Sequence, residues 1–208
     1  MSDAAIIAGF YGKLPARGDF VRAGLPRSFT DPWDDWLRSA IAGSRTSMGE
    51  AWLPAYLESP VWRFALPAGS CGPAPAIGLM LPSVDKAGRY FPLTFAALCD
   101  FAATAEAWLD RCEDAGLAAL EQDIAPDAII EMIGPPPDAL RQSDRTAVLS
   151  GGTHWWTEGA PRVAATRLSL WGLPDAATYM SMLADGTEPL PAHPETDPME
   201  QAPWESPS

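Results

Sequence analysis

Ser83, Asp85 and His154 carry the three side-chain types of a serine hydrolase, and His154 shares the chain with only one other histidine, His193. A nucleophilic serine needs a base held against it and a strained elbow of the G-x-S-x-G kind to expose it. Ser83 stands instead in "LPSVD", and a scattered Ser, Asp and His occur in most chains by chance. His154, beside two tryptophans, reads as a packed strand residue. Cys71, in "GSCGP" with no histidine nearby in sequence, reads as an inert loop thiol. There is no G-x-x-x-x-G-K-[ST] phosphate loop and no H-E-x-x-H helix, so any metal would have to rest on carboxylates alone. The acidic pairs Asp34-Asp35 and Glu113-Asp114 fall on predicted exposed helix faces and read as solvated surface. The expectation is a chain with no catalytic residues, no metal and no cofactor.

The charged residues that do stand out lie in loops. "GFYGKLPARGDF" passes from an apolar run through Pro15 to Arg17 and Asp19, on either side of Gly18. Three roles compete for this stretch: a catalytic loop, an adhesive RGD tip, or a structural turn at the edge of a partner-binding surface. Adhesive RGD loops belong to exported proteins. "MSDAAIIAGF" lacks the basic start and the long apolar run of a secretory leader. Three cysteines, Cys71, Cys99 and Cys112, are too few and too scattered for a disulfide framework or a zinc site. The expected setting is therefore reduced and cytoplasmic.

Composition narrows the classes further. The chain has 208 residues, 47% of them hydrophobic, with nine tryptophans and a net charge of −13. That length suits one core, and that charge argues against a phosphate backbone as partner. The charge is uneven: residues 1–100 balance, whereas 101–184 hold twelve acids against five bases, and 185–208 hold six acids and no base. No run approaches the ~20 apolar residues that span a bilayer, so membrane insertion is not expected.

These residues must be positioned by the elements around them. Ile6 to Leu14 predicts a strand. "SFTDPWDDWLRSAIAG" predicts a helix capped by Thr30 or Asp31, with Pro32 in its first turn and Trp33, Trp36, Leu37 and Ile41 on one face. "EAWLPAYLES" predicts a shorter helix with Trp52, Leu53, Tyr56 and Leu57 inward. "VWRFALP", "AIGLMLPSV" and "RYFPLTFAALC" predict strands, the last two joined by a "DKAG" hairpin loop. Phe101 to Ile124 predicts a helix with Phe101, Ala105, Trp108, Leu109, Cys112 and Leu120 inward and Glu106, Asp110, Glu113, Asp114 and Glu121 toward solvent. A short helix from Pro126, a "GPPPD" loop, strands at "HWWT" and "RVAATRLSLW" and a closing helix with Pro174 and Asp175 at its start complete the order. The prediction is one α/β domain over 1–184, with helices on both faces of a mixed, partly antiparallel central sheet. Residues 185–208 carry six prolines among their acids and predict a disordered tail.

The stretches "GFYGKLPARGDFVRAGLPRSFTDPWDDWL", "YLESPVWRFAL", "LMLPSVDKAGRYFPLTFAAL", "WWTEG" and "GLPD" together resemble the TagF family, also called ImpM or SciT, which is associated with bacterial type VI secretion. The likeness runs in order from about Gly9 to Leu183. It implies a three-layer α/β/α domain and a non-enzymatic role as a post-translational repressor of type VI secretion. It also implies contact with the forkhead-associated scaffold protein of that system. Some relatives are fused to a metal-dependent phosphatase; this chain is too short to add one and has no D-G-x-G-G motif, so that activity is not carried over. Two other classes compete: a structural or accessory subunit of the apparatus, or a hydrolase using the Arg17, Asp19 and Asp85 loops.

Arg17 and Asp19 occupy the family's "PARGDF" position, and Arg63, Asp85 and Arg89 its "SPVWRF" and "PSVDKAGRYFP" positions. Two readings stay open for them. The charges pair with one another and fix the loops at the strand ends, or some remain available in a partner site flanked by Trp62, Tyr90 and Phe91. The structural reading predicts that Arg17 and Asp19 meet Asp85 and Arg89 at one end of the sheet.

Overall fold

The structure is a computed structural model that describes residues 6–99, 105–137 and 152–185. The predicted tail from Gly186 onward, Phe101 and the end of the "GPPPD" loop lie outside the described residues. Strands β1 (Ile7–Gly12), β2 (Val21–Ala23), β3 (Trp62–Leu66), β4 (Ala76–Leu81), β5 (Leu93–Leu98), β6 (Thr153–Thr157) and β7 (Thr166–Leu170) form one sheet in the order β2-β1-β5-β4-β3-β6-β7. Helices α1 (Arg27–Met48), α2 (Trp52–Leu57), α3 (Glu106–Glu121), α4 (Pro126–Ile133) and α5 (Ala176–Leu183) complete the described elements.

Every strand pairing is antiparallel, so the expected mixed sheet is corrected. The reason lies in the connections. β3–β4, β4–β5 and β6–β7 are neighbours joined by reversing loops, and the helical stretch after β2 leads to β3, which is not its neighbour. No βαβ crossover exists among the described residues to set two adjacent strands parallel.

Side chains alternate across the sheet with a period of two. Ala76 and Met80 of β4, with Trp62, Phe64 and Leu66 of β3, join one buried cluster with α1, α2 and α5. Ile77, Leu79 and Leu81 of β4, with Leu93, Phe95 and Ala97 of β5, join another with α3 and α4. Trp33 centres the first cluster. Its ring lies 4.8 Å from that of Phe64 and 4.7 Å from that of Trp36, and its indole N–H donates to Thr94 Oγ1 at 2.9 Å. A buried indole needs such a partner. In the second cluster Gly116 lets α3 lie close, because a Cβ there would stand 3.0 Å from Leu81 and Phe95.

Several element boundaries differ from the pattern. α1 starts at Arg27 after Pro26 with no side-chain cap, so neither Thr30 nor Asp31 opens it, and Pro32 lies inside it. Pro32, the sixth residue of α1, removes the N–H that would have bonded the Ser28 carbonyl. In α2 the buried face is Trp52, Ala55 and Tyr56, while Leu53 and Leu57 are exposed. A three-residue 3₁₀ turn at Gly49–Ala51 leads into α2. β5 begins only at Leu93, because Pro92 has no N–H for a ladder.

Candidate functional site

The loop between β4 and β5 is built by its own sequence. Asp85 opens a turn closed by Gly88 N–H to Asp85 O at 2.9 Å, and the next bond runs from Asp85 N–H to Arg89 O at 3.0 Å. Gly88 has a φ of 78°, a left-handed value that suits glycine. The Asp85 carboxylate then reaches forward and accepts from the N–H groups of Ala87 and Arg89, both at 2.9 Å. Asp and Gly at these two positions favour this turn through local hydrogen bonds and backbone conformation alone.

That carboxylate is also the hub of the sheet end. Its side chain is fully covered, and Lys13 Nζ meets it at 2.5 Å while Arg89 Nε meets it at 2.7 Å. Burial pushes the Asp85 pKa up, but the hydrogen bonds from Lys13, Arg89 and Ala87 outweigh it and hold the carboxyl well below the usual range. Arg89 donates onward to the Gly18 carbonyl, and Lys86 N–H donates to Arg17 O at 2.9 Å. The two loops are thus tied by one side-chain and one backbone hydrogen bond. Ser83 Oγ donates to Lys13 O at 2.6 Å, and His154 Nδ1 faces Ser169 on β7 instead. The sketched Ser83–Asp85–His154 triad does not assemble.

Sequence expectation and structure part company over the partners. Arg17 pairs with Asp123 at 2.8 Å, not with Asp85, and Asp19 is exposed with no hydrogen bond or ion pair among the described residues. The cation buried against Asp85 is Lys13, 4% exposed, whereas the Arg89 side chain is 60% exposed. Arg89→Ala leaves the covered Asp85 carboxylate still paired with Lys13 and removes only a largely exposed cation, so it shifts stability by about 1 kcal/mol; a loss above about 2 kcal/mol in urea unfolding would contradict this.

The remaining expected residues are dispersed. Trp62 is buried and donates to Met182 O at 2.9 Å. Phe91 is buried against Tyr11 and Phe20, and Tyr90 is half-buried beside Trp52 and Tyr56. Arg63 lies on β3, separated from β1 by β4 and β5. It binds Glu106, Asp110 and Glu113 of α3 at 2.5, 2.7 and 2.9 Å. Those acids reach the surface, but they are partnered and not simply solvated, which corrects the expectation for that helix face.

Beside the hub lies an open groove of about 630 Å³ between the β1–β2 ribbon and α1, lined by Tyr11, Phe20, Arg22, Arg27, Thr30, Asp31, Asp34 and Asp35. Phe20 links the two features. Its ring stacks on Tyr11 at 5.3 Å, and Lys13 Nζ stands 4.3 Å from its centre. Tyr11 donates to Asp34 at 2.6 Å, and Arg38 pairs with the same carboxylate. Burial first, then the hydrogen bond to Asp34 and that carboxylate's charge, push the Tyr11 phenol up. Asp31, Asp35, Arg22 and Arg27 are exposed on its walls. Lys13 and Phe20 escaped the sequence reading; the signal for both was their place in the quoted "GKLPARGDF" stretch.

The chain matches the TagF N-terminal domain, described as type VI secretion system-associated, over residues 9–134. The chain belongs to the TagF family. Among solved structures it is similar to PA0076 from Pseudomonas aeruginosa PAO1, a crystal structure at 2.05 Å resolution. That likeness has 36% identity and a TM-score of 0.74, and covers 90% of this chain and 98% of the other. No curated protein matches. The hub and the groove both fall inside the TagF match, so the association with type VI secretion attaches to the part of the molecule that contains them. No helix among the described residues is long and apolar enough to cross a membrane.

Proposed function

We propose that this chain is a non-enzymatic cytoplasmic regulator that restrains type VI secretion by holding a component of the apparatus, with the forkhead-associated scaffold protein as the partner that family resemblance implies. The observation that carries the reading is the use made of Asp85. Its carboxylate is covered, shared by two cations and two backbone N–H groups, and held in its charged form. Such a group is a poor general base, because it has no free lone pair aimed at a substrate and little affinity for a proton. It is well suited to fixing two loops. The buried clusters on alternating strand positions support three layers with the sheet between. The fixed loops hold Phe20 and Tyr11 at the floor of the groove, and a rigid aromatic floor with Arg and Asp walls suits recognition of a protein segment.

Deletion of the gene tests the role directly. Secretion through the type VI apparatus rises several-fold if the chain restrains it, and loss of secretion would make it a component instead. Complementation with Asp31→Arg/Asp35→Arg, both exposed, leaves the melting temperature within about 2 °C but fails to restore restraint or to capture the scaffold protein. Full restraint by that variant would move the docking surface away from the groove.

A further inference from the structure

The two edges of the sheet are treated differently. β2 has only three residues, and so short an edge strand offers little to pair with. β7 has five residues, and no strand pairs with its outer side among the described residues. From Thr166 to Trp171 the sequence is "TRLSLW", without proline, lysine or acid. Those are the devices that normally keep an edge from pairing. Residues 159–174 contain none of the acids of this −13 chain and two of its arginines, Arg162 and Arg167. Glu58 neutralises Arg162 at 2.7 Å. Trp171, immediately after the strand, is 88% exposed, more than any other large apolar residue described.

We propose that β7 pairs with β7 of a second copy, antiparallel about a two-fold axis at Ser169. The register follows from what each residue meets. With Ser169 opposite itself, Arg167 faces Trp171 of the other copy, a cation over an indole, and the contact occurs twice because the interface is isologous. On the other face Leu168 meets Leu170 of the second copy. Both are half-buried against the core cluster of α1 and α5, so pairing continues that cluster across the axis. The two Arg167 side chains start roughly 14 Å apart along the ladder, beyond strong repulsion at ordinary salt. Moving the axis to Leu168 would set Arg167 against Ser169 and leave both Trp171 rings without a partner strand.

The contact is small, so association is expected to be weak and concentration-dependent. Cross-linking reports the register, because the natural Cys71, Cys99 and Cys112 are all buried. Ser169→Cys places two thiols opposite each other, at cross-strand Cβ separations of about 5 Å. Mild oxidation then yields a disulfide-linked dimer, while Arg167→Cys under the same conditions yields at least tenfold less. Sedimentation velocity of the unmodified full chain shows mass rising above 22.2 kDa with concentration, and Trp171→Ala abolishes the rise without changing the melting temperature. A constant monomer mass up to about 1 mM, equal cross-linking at the two positions, or association indifferent to Trp171→Ala would each overturn the proposal.

Discussion

Asp85→Ala abolishes cooperative folding or lowers the melting temperature by well over 10 °C, a far larger effect than Arg89→Ala. The argument is one of unmet partners. Removing the carboxylate strands the Lys13 ammonium, which is 4% exposed, together with the N–H groups of Ala87 and Arg89. A buried cation without its counter-charge is among the most destabilising changes a core can suffer. Lys13→Met is milder, because Arg89 and the two N–H groups still satisfy Asp85 and the methionine stem can keep the contact with Phe20. The order Asp85→Ala worse than Lys13→Met worse than Arg89→Ala is the expected result of thermal melts. Equal melting of Asp85→Ala and wild type would show that the hub does not hold the loops.

The same carboxylate sets an acid limit. Its folded pKa is depressed below the unfolded value of about 4. Its contribution is therefore fully present above about pH 4 and is lost as pH falls through the lower folded value. Unfolding followed down from pH 5 steepens below about pH 4, and the double variant Lys13→Met/Asp85→Asn, which leaves no buried ammonium unpaired, flattens that part of the curve.

What the sequence made legible and what it hid divide along a physical line. The tip from Asp85 to Arg89 was readable because its turn is local: Asp at the first position and Gly at the fourth dictate it. The buried role of Lys13 was not, since a lysine after a short apolar run ordinarily marks the surface. Its burial depends on β1 lying beside β5, a long-range pairing with Tyr11 opposite Thr94. Strand direction was hidden for the same reason: an unbroken apolar run such as Leu79 to Leu81 records two covered faces but not whether neighbours run with or against it. Leu53 and Leu57 misled because each lies only one residue, about 100°, round the helix from Trp52 and Tyr56, and this short helix buries just the narrower face of Trp52, Ala55 and Tyr56. The groove was hidden most completely. Asp34 and Asp35 belong to a helix face that reads as solvated, and only the β1–β2 ribbon turns that face into a wall.

Arg63 provides the second large effect and the link between the sheet and α3. Alternation in "VWRFAL" sends Trp62, Phe64 and Leu66 to one face and Arg63 to the other. There its guanidinium spans Glu106, Asp110 and Glu113, on successive turns of α3. Burial lowers the Arg63 pKa, but the three acids more than reverse that, so it stays charged at any accessible pH. The Arg63 side chain is 14% exposed while those of Glu106 and Asp110 are 60% and 62% exposed, so water screens part of each attraction. Arg63→Met keeps the apolar stem and removes the charge, leaving three carboxylates to repel along one helix face. A loss of about 2 kcal/mol is expected. Neutralising Glu106, Asp110 and Glu113 to their amides in the Arg63→Met background recovers most of it, since no charge remains to be balanced. Salt acts in a set direction as well: 1 M NaCl narrows the gap between Arg63→Met and wild type, because it screens the carboxylate repulsion created by the substitution. A loss under about 0.5 kcal/mol at low salt would show that α3 is held by Trp108, Leu109 and Cys112 alone.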